Sequence, residues 1–334
     1  MIISRTPFRV SLFGGGTDYP DWYHQHGGSV LGFAINKYCY ISVRPLPPFF
    51  EHRHRIVYSL VETVSEIDEI QHPSVRAILK EKDVDIGLEI HYDGDLPARS
   101  GLGSSSSFTV GLLNALSAMD GSMVEKQKLA LEAIRIEQQV IGEAVGSQDQ
   151  VWAAFGGINR IDFPKNGDFD VRPLVMPPAR QEELLDNMLL YFTGFSRFAT
   201  EIAKQQIDNF SQREQQLKTM GQFVDEALNV LQSESRPITE IGELLHQSWL
   251  LKRELADAVS TPAIDGFYEE ARKAGAIGGK LLGAGGGGFM LLFVEPEKQQ
   301  AVKESMKNLV RVDFGIDEAG SKIVIYEPAG LENR

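Results

Sequence analysis

The chain has 334 residues, more than one hydrophobic core usually serves, so two fused domains are expected. Its 33 basic and 46 acidic side chains leave a net charge of −13, which argues against a general nucleic-acid or anionic-membrane surface, whose footprint is basic. An apolar content of 43% is ordinary for a soluble globular protein, and the single cysteine, Cys39, excludes an intramolecular disulfide and a cysteine-built zinc cluster.

The opening residues lack the long apolar core of a signal peptide, and the longest apolar run, Phe289 to Val294, is too short to span a bilayer. A soluble, cytoplasmic protein without membrane or nucleic-acid partners is the expectation. In chain order, β-branched and aromatic runs predict strands at 2–13, 28–35, 38–43, 55–60 and 88–92. Helices are expected at 104–119 and 125–142, then strands at 158–163 and 171–176. The consecutive prolines 177 and 178 stop both helix and ladder and suggest domains 1–177 and 178–334. The second half reads as a strand at 188–193, helical tracts at 198–233, 238–256 and 263–274, a glycine loop, and strands at 289–294 and 323–326. Without regular βαβ alternation this is an α+β pattern.

Three stretches carry chemistry. Pro97-Ala-Arg-Ser-Gly-Leu-Gly-Ser-Ser-Ser-Ser107 follows a strand and opens into a helix. Free N–H groups and the helix dipole there favour an anion such as the phosphates of ATP, although no Walker lysine is present. The plain alternative is a serine-rich linker or N-cap. Gly283-Ala-Gly-Gly-Gly-Gly288 matches a dinucleotide fingerprint formally, yet it leads into a strand instead of a helix, so that reading fails. Five glycines in six positions imply that this backbone passes very close to another group. Arg5-Thr-Pro-Phe-Arg-Val-Ser-Leu-Phe-Gly-Gly-Gly-Thr-Asp-Tyr-Pro20 presents Asp18 on a tight loop, where a carboxylate can hold sugar hydroxyls, and Arg9 can steady negative charge nearby. Alone, Asp18 would read as a turn-capping residue.

Taken together and in order, the three stretches resemble the motifs of the GHMP kinases, whose members phosphorylate galactose, homoserine, mevalonate and phosphomevalonate. Galactokinases carry Gly-Glu-His-Thr-Asp-Tyr in the first motif where this chain has Gly-Gly-Gly-Thr-Asp-Tyr, which implies a different sugar pocket. The resemblance implies an N-terminal ATP-binding α+β domain and a C-terminal ferredoxin-like α+β domain, with ATP and Mg2+ in the cleft between them. Ser100, Gly101, Leu102, Gly103, Ser104, Ser105 and Ser106 would wrap the ATP phosphates, joined by Gly285 and Gly286. Ser105 and Glu137 would hold the metal, and Asp149, twelve residues after Glu137, would be the catalytic base beside Arg9. Gly16, Thr17 and Asp18 would meet the sugar.

Within the family the chain resembles the D-glycero-D-manno-heptose 7-phosphate kinases through Phe13 to Pro20, Asp95 to Phe108 and Val145 to Gln150. A sugar phosphate needs cationic partners. His52-Arg-His-Arg55, Arg99 and Arg197 are the candidates, with a charge-guarded strand edge as the slightly favoured reading of the first. An L-fucose-type sugar kinase and a non-catalytic sensor are the rival functions. The polar tract 198–233 reads as a solvated face before a subunit contact, so a homodimer stays open.

Overall fold

A twelve-residue strand, β1 (Ile2–Phe13), opens the chain, and the computed structural model describes residues 1–194 and 199–328. After α1 (Pro20–His26), β2 (Gly28–Pro45) runs antiparallel along the whole of β1. The sequence reads β2 as two strands. They are one, because the pairing jumps from Pro7 opposite Tyr38 to Phe8 opposite Ile35, and the bulge absorbs the polar Asn36 and Lys37. A hairpin follows, β3 (His54–Val57) and β4 (Val61–Val64), then α2 (Pro73–Glu81) and β5 (Leu88–Gly94).

The apolar Ser104–Met119 forms α3, which packs across β1 and β2; Gly111 allows this, since a Cβ there would stand 2.9 Å from Thr6 Oγ1. Next come α4 (Lys126–Arg135), α5 (Gln148–Phe155), β6 (Ile158–Phe163) and β7 (Asp170–Pro173). The helix expected over 125–142 changes pitch: after α4, Ile136–Ile141 is a π-helical turn ended by Gly142 at φ 78°.

The remaining elements are α6 (Pro178–Asp186), β8 (Met188–Phe192), α7 (Ala199–Asp208), α8 (Glu214–Gln232), α9 (Thr239–Glu254) and α10 (Pro262–Ala274). Then β9 (Gly278–Leu281), β10 (Phe289–Phe293), α11 (Gln299–Ser305), β11 (Val310–Val312) and β12 (Lys322–Tyr326) close the chain. The first sheet runs β12-β1-β2-β5-β3-β4, with β6 and β7 joined through β2. The second runs β11-β8-β10-β9, and with helices before β9 and before β11 it has the βαββαβ order of a ferredoxin-like unit.

The expected division at 177/178 needs one correction. The last strand, β12, pairs antiparallel with β1, so residues 322–326 complete the N-terminal sheet. Fully buried Phe8, Phe13, Phe33 and Trp152 fill the first core, while Trp249, Tyr268 and Leu292 belong to a second under the smaller sheet. Among the described residues no helix is long and apolar enough to cross a membrane.

Candidate active site

The three glycine-bearing stretches meet, and their glycines explain how. A Cβ on Gly101 would stand 2.4 Å from Leu282 O, one on Gly283 2.5 Å from Gly101 Cα, and one on Gly288 2.3 Å from Ser100 O. The group that the late glycine loop passes so closely is therefore the serine loop itself. Phe289 N donates to Ser100 O at 3.0 Å and seals the contact. Within the serine loop, Ser100 Oγ donates to Pro97 O, Ser104 Oγ accepts from Arg99 N, and Ser107 Oγ donates to Pro7 O. Gly103 at φ 74° turns the chain into α3. Ser105 stays exposed in that first turn, where N–H groups lack helical partners.

Beneath the loop lies Arg9, 5% exposed, on β1. Its guanidinium donates to both Asp149 carboxylate oxygens at 2.7 Å each and to Gly101 O at 2.6 Å. Arg9 N also donates to Leu102 O. One side chain thus ties the serine loop to the first turn of α5, with the planar fork that only arginine offers. A Cβ on Gly103 would lie 3.2 Å from Asp149 Oδ2, so the loop closes directly over this pair.

Asp18 completes the group. It is 1% exposed, accepts from Gly16 N at 2.9 Å and, more weakly, from Gln148 N at 3.4 Å, and its own carbonyl accepts from Ser147 N. Its carboxylate therefore sits at the N-terminus of α5, the helix that carries Asp149. Burial, and to a lesser degree the nearby Asp149 charge, raises the Asp18 pKa against the opposing hydrogen bond from Gly16. Gly146 leaves it room, since a Cβ there would stand 1.9 Å from Asp18 Oδ2. Thr17 has a different place: its hydroxyl donates to Gly14 O and Ser29 O and accepts from Ser29 N, so it braces the turn. Gly16 contributes through its backbone N–H.

Glu137 lies fully buried on the π-helical turn. Ser106 Oγ donates to its Oε2 at 2.9 Å and Gln150 Nε2 donates to the same oxygen, whereas Oε1 has no partner and is closed off from solvent. Burial pushes its pKa up to about 7, partly offset by the hydroxyl and amide donors around it. Of the serines in this turn, Ser106 is the one that bonds the Glu137 carboxylate, while Ser105 faces outward. Successive helical residues lie about 100° apart, so the two serines face different ways.

The other expected residues are spread more widely. Gly286 N donates to Val259 O, and a Cβ on Gly285 would stand 2.7 Å from Val259 Cα, so both glycines seat the loop on the segment before α10. Arg99 is exposed beside the serine loop in a left-handed conformation at φ 57°. His52–Arg55 lies on the outer strands, where Arg55 pairs with Glu89, which also binds Arg44 and His91, and Arg53 donates to Asp85 O. Three strand spacings separate β3 from β1, about 14 Å, which fits the charged-edge reading better than a pocket at Asp18. Arg197 lies outside the described residues. Sequence reasoning missed Lys252 and the role of Lys280, both buried beside this site; a lysine within an apolar run was the available signal.

Both halves of the chain are similar to known proteins. Residues 70–157 match the model of the GHMP kinases N terminal domain, and residues 223–311 that of the GHMP kinases C terminal. The chain is 28% identical to a D-glycero-alpha-D-manno-heptose 7-phosphate kinase from Campylobacter jejuni, over 96% of this chain and 98% of that one. It is 30% identical to a mevalonate kinase from Pyrococcus abyssi, over 70% of this chain and 67% of the relative. A D-glycero-D-manno-heptose 1-phosphate kinase from Bacteriodes thetaiotaomicron superposes with a TM-score of 0.76 at 25% identity, covering 98% of this chain and all of that one.

Proposed function

The chain belongs to the GHMP kinases, and on that premise we propose that it transfers the γ-phosphoryl group of ATP to the anomeric hydroxyl of D-glycero-D-manno-heptose 7-phosphate. The product is the 1,7-bisphosphate, an intermediate of GDP-heptose biosynthesis in the cytoplasm. The observation that carries the reading is the buried Asp18 carboxylate beside the Arg9–Asp149 pair, at the mouth of the serine loop. Asp18 accepts hydrogen bonds from the sugar hydroxyls. Asp149 orients the attacking hydroxyl and takes its proton as the oxygen bonds to the γ-phosphorus and ADP departs. Arg9 fixes Asp149 in the plane of the fork, so that positioning, the main demand of phosphoryl transfer, is met before substrates arrive.

The donor set beside the serine loop fits a magnesium ion. Glu137 Oε1 is a buried hard oxygen, Ser106 Oγ bonds the other oxygen of the same carboxylate, and magnesium is satisfied by one or two protein oxygens plus nucleotide and water. When bound, it would neutralise charge on the phosphate oxygens. A second reading, a sugar-1-kinase for an unphosphorylated sugar such as L-fucose, is favoured by one observation: in the densest basic cluster Arg55 pairs with Glu89 and Arg53 donates to Asp85 O, three strands from β1 and away from Asp18.

The test is ADP release from magnesium-ATP across D-glycero-D-manno-heptose 7-phosphate, sedoheptulose 7-phosphate, mannose 6-phosphate, L-fucose, galactose and mevalonate. Turnover confined to the manno-heptose phosphate supports the first reading. Turnover with L-fucose or galactose replaces it with the second, and turnover with mevalonate alone overturns both.

A further inference from the structure

Lys280 lies on β9 opposite Leu291 of β10 and is 3% exposed. An ammonium group so deep in a sheet is costly unless its bonds serve a purpose. It reaches out of its own sheet and donates to Leu12 O at 2.9 Å, at the end of β1. Lys252, on α9 and 8% exposed, donates to Leu281 O at 3.0 Å and to Gly283 O at 2.5 Å. Lys252 therefore fixes the root of the glycine loop. Lys280, adjacent to that root, fixes the strand end from which Gly14–Gly16 leads to Asp18.

We infer that Lys280, seconded by Lys252, is a positioning residue: through Leu12 and the glycine turn it holds the Asp18 carboxylate in register with the glycine-rich loop. This deepens the acceptor role given to Asp18 above and rests on it. The charges around the lysine agree with such a post. Asp18 attracts it, whereas Arg9 repels it and Lys280 in turn repels Lys252. Burial lowers the pKa of both lysines, that of Lys280 to about 7, so the attraction of Asp18 offsets part of a real desolvation cost. A lysine serving packing alone would not place its amino group on the carbonyl that starts the acceptor turn.

The experiment compares wild type with Lys280→Met, Lys280→Gln, Asp18→Asn and the Lys280→Gln/Asp18→Asn pair. Acceptor titrations at saturating magnesium-ATP are combined with ATP titrations, melting curves and amide hydrogen exchange of residues 13–18. Both lysine variants are expected to lose about tenfold or more in kcat/KM for the acceptor while KM for ATP stays within about threefold. The double variant should be no worse than Asp18→Asn alone, because two residues acting through one group are not additive. The Gly16 amide, which donates to Asp18, should exchange faster in Lys280→Gln. Additive losses, an equal rise in both KM values with a lowered melting temperature, or unchanged exchange at Gly16 overturn the inference. Should Lys280→Met not fold, Lys280→Gln, which stays polar but is one bond shorter than the lysine and carries no charge, decides alone. The exchange measurement needs no acceptor, so wild type inactive on every sugar sinks the substrate reading while leaving the lysine to be judged separately.

Discussion

Replacing Gly146 by alanine adds one methyl group at a point where the Asp18 carboxylate, to which the acceptor role is given above, has little room. The new Cβ would stand 1.9 Å from Asp18 Oδ2 and 2.7 Å from its Cγ, so the carboxylate has to retreat by about 1.5 Å to reach ordinary contact. That movement breaks the 2.9 Å bond from Gly16 N and the longer one from Gln148 N. A hydrogen bond to a charged group is worth about 1.5–3 kcal/mol, so kcat/KM for the acceptor should fall by about 10- to 150-fold. The serine loop and Glu137 are not in the collision, and KM for ATP should stay nearly unchanged. The assay is ADP release with acceptor varied at saturating magnesium-ATP, then with ATP varied at saturating acceptor. Acceptor kcat/KM within twofold of wild type would refute the placement of Asp18 at the acceptor.

Arg9→Lys keeps the charge but loses the fork, so kcat should drop by about 10- to 100-fold with little change in ATP affinity, read from single-turnover rates and nucleotide binding. Asp149→Asn should abolish turnover and leave ATP binding intact; equal loss of both would deny it the role of base. Ser106→Ala should raise the magnesium concentration needed for half-maximal rate, whereas Ser105→Ala should not, and the reverse outcome would restore the pairing read from sequence. Glu137 makes stability depend on pH. Its folded pKa of about 7 lies above the ordinary 4.5, so the folded state keeps a proton that the unfolded chain releases between those values. Stability is full below pH 4.5 and falls as pH rises through 7, by up to about 3 kcal/mol, and Glu137→Gln should flatten that slope in melts of the free protein.

The elements with strong local signals were legible in the sequence. The strand 2–13 and the helix 104–119 match β1 and α3 to the residue, because an unbroken β-rich run and a glycine–serine helix start need no tertiary help. The short helices α1, α2, α5 and α6 were not read, since each has too few turns to show a period and is held by packing. Residues Glu137 and Asp149 could be named only through the resemblance to the GHMP kinases, and which serine meets Glu137 depends on how α3 is rotated against the π-helical turn, which no motif encodes. The bracing role of Thr17 escaped for a similar reason: its partners Gly14 O and Ser29 O become neighbours only when β2 returns beside the turn. The five glycines were read correctly as a close approach, while the partner, the serine loop, lies almost two hundred residues away in sequence and had no local trace.

The pairing of β12 with β1 also sets an order of events during synthesis. Residues 2–5, a few positions before Arg9, acquire their outer neighbour only when 322–326 have emerged from the ribosome. Until then β1 is an open edge, with unpaired donors and acceptors that another chain can bind. So distant a contact is entropically slow to form and comes late in folding. The strand that carries Arg9 is thus made long before it is sealed, which ties completion of this sheet to translation of residues 322–326 and makes the nascent chain most vulnerable to misassembly in that interval.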